Sequence, residues 1–202
     1  MSKVIALDAS VPAGEMRAPR RLRALSRGLS LLFALLLGLV IFILLAAIVA
    51  LLFFPQYLQT NSSSVGIWIG PHGTVPPLRP GMVRLSDQPL ITHLAGAADV
   101  AIGLTPVFFI FSHLRRLFRL YAAGIVFTQQ NAVHLKHIGL WLIAYPFANF
   151  ISNLVFQLAG GTDHSWFHAS DIEALVLGLI VTVIAQVMEF GRAIEQEKDS
   201  FI

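Results

Sequence analysis

Asp99 stands inside the apolar run LITHLAGAADVAIGLTPVFFIFS, residues 90–112, and is its only acid. An ionised carboxylate at the centre of a membrane span costs about 2.5–3.5 kcal/mol even on lenient insertion scales, so it must be paired, protonated or used. Three roles fit it: a proton site, a ligand contact or a conformational switch. The plainer reading is a protonated carboxyl bonded to an amide of a neighbouring helix, with Asn149, Asn153 or Gln186 as partner. His93, Gly96, Asp99, Gly103 and Pro106 share roughly one face of that run.

Two further stripes carry polar groups. Asn149, Asn153 and Gln157 repeat every four residues beyond Pro146, and Gly178, Thr182, Gln186 and Glu189 form a similar line. Amides and small residues at helical spacing hold membrane helices together, so these faces are expected to turn inward. Glu189 is expected to be solvated or paired with Arg192 near the end of its span.

Metal chemistry has one weak opening. His164 and His168 are four apart in TDHSWFHASD, between Asp163 and Asp171. Two imidazoles and two carboxylates resemble part of a zinc or copper site, but a third firm ligand is missing. A polar interfacial turn with Trp166 and Phe167 at the headgroups explains the same residues. His134 and His137, three apart, read as solvated members of a basic face or as pH-sensitive groups. There is no cysteine, hence no thiolate site or disulfide. No phosphate loop, nucleophile elbow or zincin motif occurs, and no catalytic set assembles. A non-enzymatic protein without cofactors is expected.

The elements that position these residues are membrane helices. The chain has 202 residues, 56% of them hydrophobic and 12% charged, with a mean hydropathy of +0.74. A soluble domain could not cover so much apolar surface. Four runs approach the roughly 20 residues a bilayer core requires: residues 29–54, 90–112, 138–159 and 172–190. The expected fold class is an all-α integral membrane protein with four transmembrane helices. The first run follows Arg20, Arg21, Arg23 and Arg27 but is too long for a signal-peptide core, and it reads as a retained signal anchor.

Charge sets the expected orientation. Twelve of the fourteen basic residues fall in residues 1–28, 113–137 and 191–202, and the other two, Arg79 and Arg84, lie in residues 55–89. With four helices running up and down, both termini and the 113–137 connector are cytoplasmic, while 55–89 and the turn 160–171 are extracytoplasmic. From Val100 to Thr162 there is no acid. The connector, with Arg115, Arg116, Arg119 and Lys136, is therefore expected against anionic headgroups, at about 1 kcal/mol per basic residue.

Within the connector, Leu114, Leu117, Phe118 and Tyr121 lie opposite the three arginines. That spacing predicts an amphipathic helix, either in the interface or continuing the second span. Gly124 is placed to end it and Thr128 to cap the next, giving helix, bend, helix; Asn131 leaves the capping box incomplete. In the outer loop, SVGIWIG is expected to be a strand pairing with GMVRL.

The connector and the tail resemble a known pattern. Tyr121, Gly124, Phe127, Thr128, Asn131, Lys136, Ile138 and Gly139, followed by Gly191, Glu195, Glu197, Asp199 and Ile202, resemble the bacterial membrane proteins grouped as domain of unknown function 2975. The tail departs from the pattern at Lys198, Ser200 and Phe201. The resemblance implies four helices in a bacterial inner membrane, no enzymatic activity, and a cytoplasmic partner among small helix-turn-helix regulators of the Cro/C1 repressor type. Arg115, Arg116, Arg119, Lys136, Phe127, Thr128 and Asn131 are the candidate partner- or lipid-binding residues. Direct nucleic-acid binding is not expected. Three functions compete: a sensor or tether for a regulator, an accessory subunit of a larger membrane complex, and a small transporter working around Asp99. Four helices with no internal repeat leave little room for the last.

Overall fold

The computed structural model describes residues 20–60, 65–67, 77–78, 80, 82–125, 128–160 and 168–200. Four long helices dominate: α1 (Arg20–Phe53), α2 (Leu90–Ala122), α3 (Gln129–Leu158) and α4 (Ala169–Ser200). All four contain a stretch long and apolar enough to cross a membrane. At 30 to 34 residues each, they are about 45–50 Å long, well beyond the roughly 30 Å of a bilayer core. The expected spans are thus only parts of longer helices. The amphipathic stretch after residue 112 is a continuation of α2, and the stretch before 138 already belongs to α3.

The breaks have local causes. Pro55 ends α1 by forcing Phe54 out of helical backbone (φ −128°) and starts a short 3-10 turn, Pro55–Tyr57. The proline inside α2, Pro106, is fully buried. One residue before it, the Thr105 hydroxyl donates to the Ala101 carbonyl at 2.7 Å. Gly124 (φ 85°) ends α2. The Gly124 N–H donates to the Tyr121 carbonyl and the Ile125 N–H to the Leu120 carbonyl, each at 3.0 Å. That pair of bonds satisfies the last carbonyls of the helix and needs a left-handed residue, the role expected for Gly124. Gly160 (φ 86°) ends α3 in a similar way.

The helices form a row. Each packs along its length on the helix before and after it in sequence, while the other pairings barely touch among the described residues. Between α1 and α2, Phe33 stacks on Phe118 (5.5 Å, 8°) and meets Phe111. Between α2 and α3, Phe109 stacks on Trp141 (4.3 Å, 7°). Between α3 and α4 the close contact is made by glycines. Gly139 faces Gly178, so close that a Cβ on Gly139 would stand 2.9 Å from the Gly178 carbonyl oxygen and the Thr182 nitrogen. Small residues let two backbones approach, which supplies van der Waals contact where the hydrophobic effect is absent.

A small sheet covers one end of the row. Its strands are β1 (Leu58–Thr60), β2 (Val65–Ile67) and β3 (Val83–Arg84), in the order β2-β1-β3. Here the expected pairing is corrected. Among the described residues β2, from SVGIWIG, and β3, from GMVRL, do not pair with each other; both pair antiparallel with β1, as Gln59 opposite Gly66 and Gln59 opposite Arg84. Two strands alone are marginal, and the residues just after α1 supply the middle strand. The Gln59 side chain is buried there and donates to the Pro77 carbonyl at 2.9 Å. We call this the sheet end, and the other, with Arg115, Arg116, Arg119 and Lys136, the basic end.

Candidate functional site

The intramembrane polar residues separate into distinct groups. His93 is buried near the sheet end, where its Nε2–H donates to the Leu85 carbonyl at 2.7 Å. It ties the 3-10 turn Leu85–Asp87 to the first turn of α2. Beside it the Thr92 hydroxyl donates to the Ala159 carbonyl at 3.0 Å, joining the ends of α2 and α3. Gly96 lies against Leu51 of α1 and Phe156 of α3.

Asp99 meets a residue that the sequence reading passed over. The Ser152 hydroxyl donates to its carboxylate, and lies 3.2 Å from its backbone carbonyl. Asn149 takes a different partner: its Nδ2 donates to Asp171 Oδ1 at 2.9 Å. Gln186 is exposed on α4, as is Glu189, so the second half of the α4 stripe turns away from the core. Its first half does not, since Thr182 packs on Gly139 and donates to the Gly178 carbonyl at 2.8 Å. The side chain of Arg192 lies outside the described residues.

Asp171 is buried at the start of α4. Besides Asn149 it accepts the His168 N–H on Oδ2 at 2.9 Å, while its own N–H donates to the His168 carbonyl at 3.0 Å. A carboxylate at the third helical position reaching back to the N-cap N–H is the reciprocal half of a capping box, favoured further by the helix dipole. The exposed His168 ring stands 3.8 Å from the same oxygen. The other histidine weighed for metal, His164, lies outside the described residues, as does Phe127. Among the described residues, no three His, Asp or Glu side chains gather where they could hold a metal ion.

Asp99, Ser152, Asn149 and Asn153 line one pocket of about 440 Å³ between α2 and α3, lined also by His168 and Ser170 at the start of α4. Val100, Leu104 and Val107 form its apolar wall, and Tyr145 lines it as well. Gly103 keeps it open: a Cβ there would point 3.7 Å from Asn149 Oδ1 and 3.9 Å from Ser152 Oγ. Gln157 is half-buried further along α3.

At the basic end, Arg115, Arg116, Arg119 and Lys136 are all exposed. Asn131 is fully buried and donates to the Ile125 carbonyl at 3.1 Å. It clamps the bend between α2 and α3 from within, whereas the four cations face outward. Thr128 stands at the N-cap with extended backbone, but its hydroxyl is buried and makes no cap bond. His113 was missed in the sequence because it has no patterned neighbour on its own helix. It joins His134 (Nδ1–Nδ1 3.1 Å) and stacks on His137 (4.9 Å, 13°), linking α2 to α3 about three turns before the bend.

Ser152 was legible after all, since 149, 152, 153 and 156 follow the i, i+3, i+4, i+7 spacing of one helix face. A lone serine carries little signal, because small hydroxyl residues are common in such interfaces. No curated protein and no solved structure matches the chain. Residues 75–202, which include α2, α3, α4, the pocket and the bend, match the model of a family described as protein of unknown function (DUF2975), and the chain is a member of that family.

Proposed function

We propose that the protein is a non-enzymatic sensor or tether in a bacterial inner membrane, with both termini and the basic end in the cytoplasm. The observation that supports this most is the course of α2 and α3, which run unbroken from the polar pocket to the basic bend. A change at the pocket alters the packing of these two helices, and the same two helices carry the exposed cations. Anionic headgroups hold that end, and a cytoplasmic regulator of the helix-turn-helix type docks on Arg115, Arg116 and Arg119. The orientation rests on the placement of twelve of fourteen basic residues; the class of partner rests on the family resemblance.

The test is affinity purification with crosslinking from native membranes. Replacing Arg115, Arg116 and Arg119 by Gln releases the cytoplasmic partner into the soluble fraction. Unchanged co-purification would overturn the reading. One observation favours a second reading, an accessory subunit of a larger complex: α1 and α4 stand at the two edges of an open row. Under it, mild detergent retains a stoichiometric membrane partner, and a clean isolated chain would count against it.

A further inference from the structure

The two edges of the row, α1 and α4, each keep a face with no helix against it among the described residues. Both helices turn inward with a period of seven. On α1, Ser26 and Val40 are buried, and Phe33 midway between them stacks on Phe118. On α4, Asp171, Gly178 and Ala185 are buried. A seven-residue repeat marks left-handed helix packing, and the opposite face of such a helix repeats by seven as well. On α1 that outward seam is Arg21, Ala24, Gly28, Leu31, Leu35 and Gly38, all exposed. Its start is hollow: a groove of about 640 Å³ is lined by Arg21, Ala24, Leu25, Gly28 and Leu29 among the described residues. On α4 the outward seam is Ile180, Val183, Val187, Phe190 and Ile194, all exposed, and by register it continues to Glu197.

Contacts inside the row set the two seams at matched heights. Phe33 meets Phe111 and Phe118, His113 meets His134 and His137, and Gly139 faces Gly178 and Thr182. Followed from each helix to its antiparallel neighbour, these contacts put Leu31 and Val187 at one height, to within about one turn. From there the seams keep step. Gly28 is level with Phe190, Ala24 with Ile194 and Gly38 with Ile180, a small residue opposite a large one each time. Arg21 is level with Glu197. The ends also differ in charge. α1 opens with Arg20, Arg21, Arg23 and Arg27 and has no acid in its first turn, at the positive pole of its own dipole. Residues 189–200 of α4 hold Glu189, Glu195, Glu197 and Asp199 against Arg192 and Lys198, toward the negative pole. Lipid covers apolar seams, but anionic headgroups repel that acidic end. The basic start of another α1 attracts it.

We propose that α1 of one copy of this chain packs on α4 of a second copy, small residues against large ones, with Arg21 of the first beside Glu197 of the second. Copies that share one orientation in the membrane, related by an axis along its normal, keep every height and set the two helices antiparallel. The contact repeats until the assembly closes, and two copies suffice when both edges are covered at once. The assembly forms with or without a regulator at the basic end, so its failure leaves the docking reading standing.

The chain has no cysteine, so introduced cysteines report contacts without background. Full-length Leu31→Cys and Val187→Cys chains with different tags are co-expressed and oxidised in native membranes. A disulfide joining the two tags is expected. Val176→Cys, on the same face of α4 but about 16 Å further along the helix, gives none with Leu31→Cys. Arg21→Glu in the Leu31→Cys chain lowers the linked fraction at least about threefold, since like charges then meet. Adding Glu197→Arg to the Val187→Cys chain restores it, which a loss of folding or insertion would not allow. No disulfide between Leu31→Cys and Val187→Cys, an equal yield with Val176→Cys, or charge changes without loss and rescue would overturn the proposal. So would links confined to two Leu31→Cys chains, which place α1 against α1.

Discussion

Replacing Gly139 with alanine tests the close approach of α3 and α4. The added Cβ would stand 2.9 Å from the Gly178 carbonyl oxygen and from the Thr182 backbone nitrogen. Ordinary contact begins near 3.4 Å, so α3 and α4 must separate locally by about 0.5 Å. Two of the obstructing atoms are backbone and cannot rotate away. The third, the Thr182 hydroxyl, is engaged with the Gly178 carbonyl at 2.8 Å. Overpacking of this kind costs about 1–3 kcal/mol, or roughly 5- to 150-fold in the unfolding equilibrium. The assay is reversible unfolding of the purified chain in mixed micelles, followed by far-UV circular dichroism. Gly38→Ala is the internal reference, because a Cβ at Gly38 meets nothing within 4 Å and alanine is intrinsically the better helix former by about 0.5–1 kcal/mol. Gly178→Ala is expected to resemble Gly139→Ala, since its Cβ would stand 2.8 Å from the Gly139 carbonyl. The double variant should cost less than the two singles added, because the first separation already relieves the second clash. If Gly139→Ala were as stable as Gly38→Ala, the reasoning would be refuted.

Two further outcomes are expected. Asn131→Ala leaves the Ile125 carbonyl without its donor and should destabilise the bend by about 1–3 kcal/mol, seen as faster hydrogen exchange of amides 120–125 relative to the sheet end. Gly124→Ala forces a Cβ into left-handed backbone at φ 85° and should cost about 1–2 kcal/mol, whereas Gly28→Ala, with open space around it, should not; equal melting temperatures for the two would contradict the assignment of Gly124 as the end of α2.

The existence of four long helices was readable because continuous apolar runs have a length that only one solvent demands. The stop at Gly124 was readable because a helix end needs a left-handed residue and few others supply it. What periodicity could not supply was the identity of the neighbour. It places Asn149, Ser152 and Asn153 on one face of α3, yet α2 and α4 both border that helix. Asn149 reaches Asp171, and Ser152 reaches Asp99. At the turn His168–Asp171 the carboxylate caps α4, a role that draws on the same residue types as a metal site. The sheet pairing was misread because β1, only three residues long, lies directly after the 3-10 turn Pro55–Tyr57 that follows α1. Its LQT carries no alternation from which a strand could be recognised.

The row of helices has a consequence for how the chain is made. From α2 onward, each helix packs on the helix translated just before it. No early helix has to wait, half-covered in lipid, for a distant one to arrive. Contacts of such short range form quickly, and in a ribosome-fed membrane they can form in the order of synthesis, hairpin upon hairpin. The last step is then the docking of α4 on α3, through two glycines that admit no wrong register without losing their close approach. A nascent chain stalled before α4 would already hold the Asp99–Ser152 bond, but not the Asp171 carboxylate to which Asn149 donates.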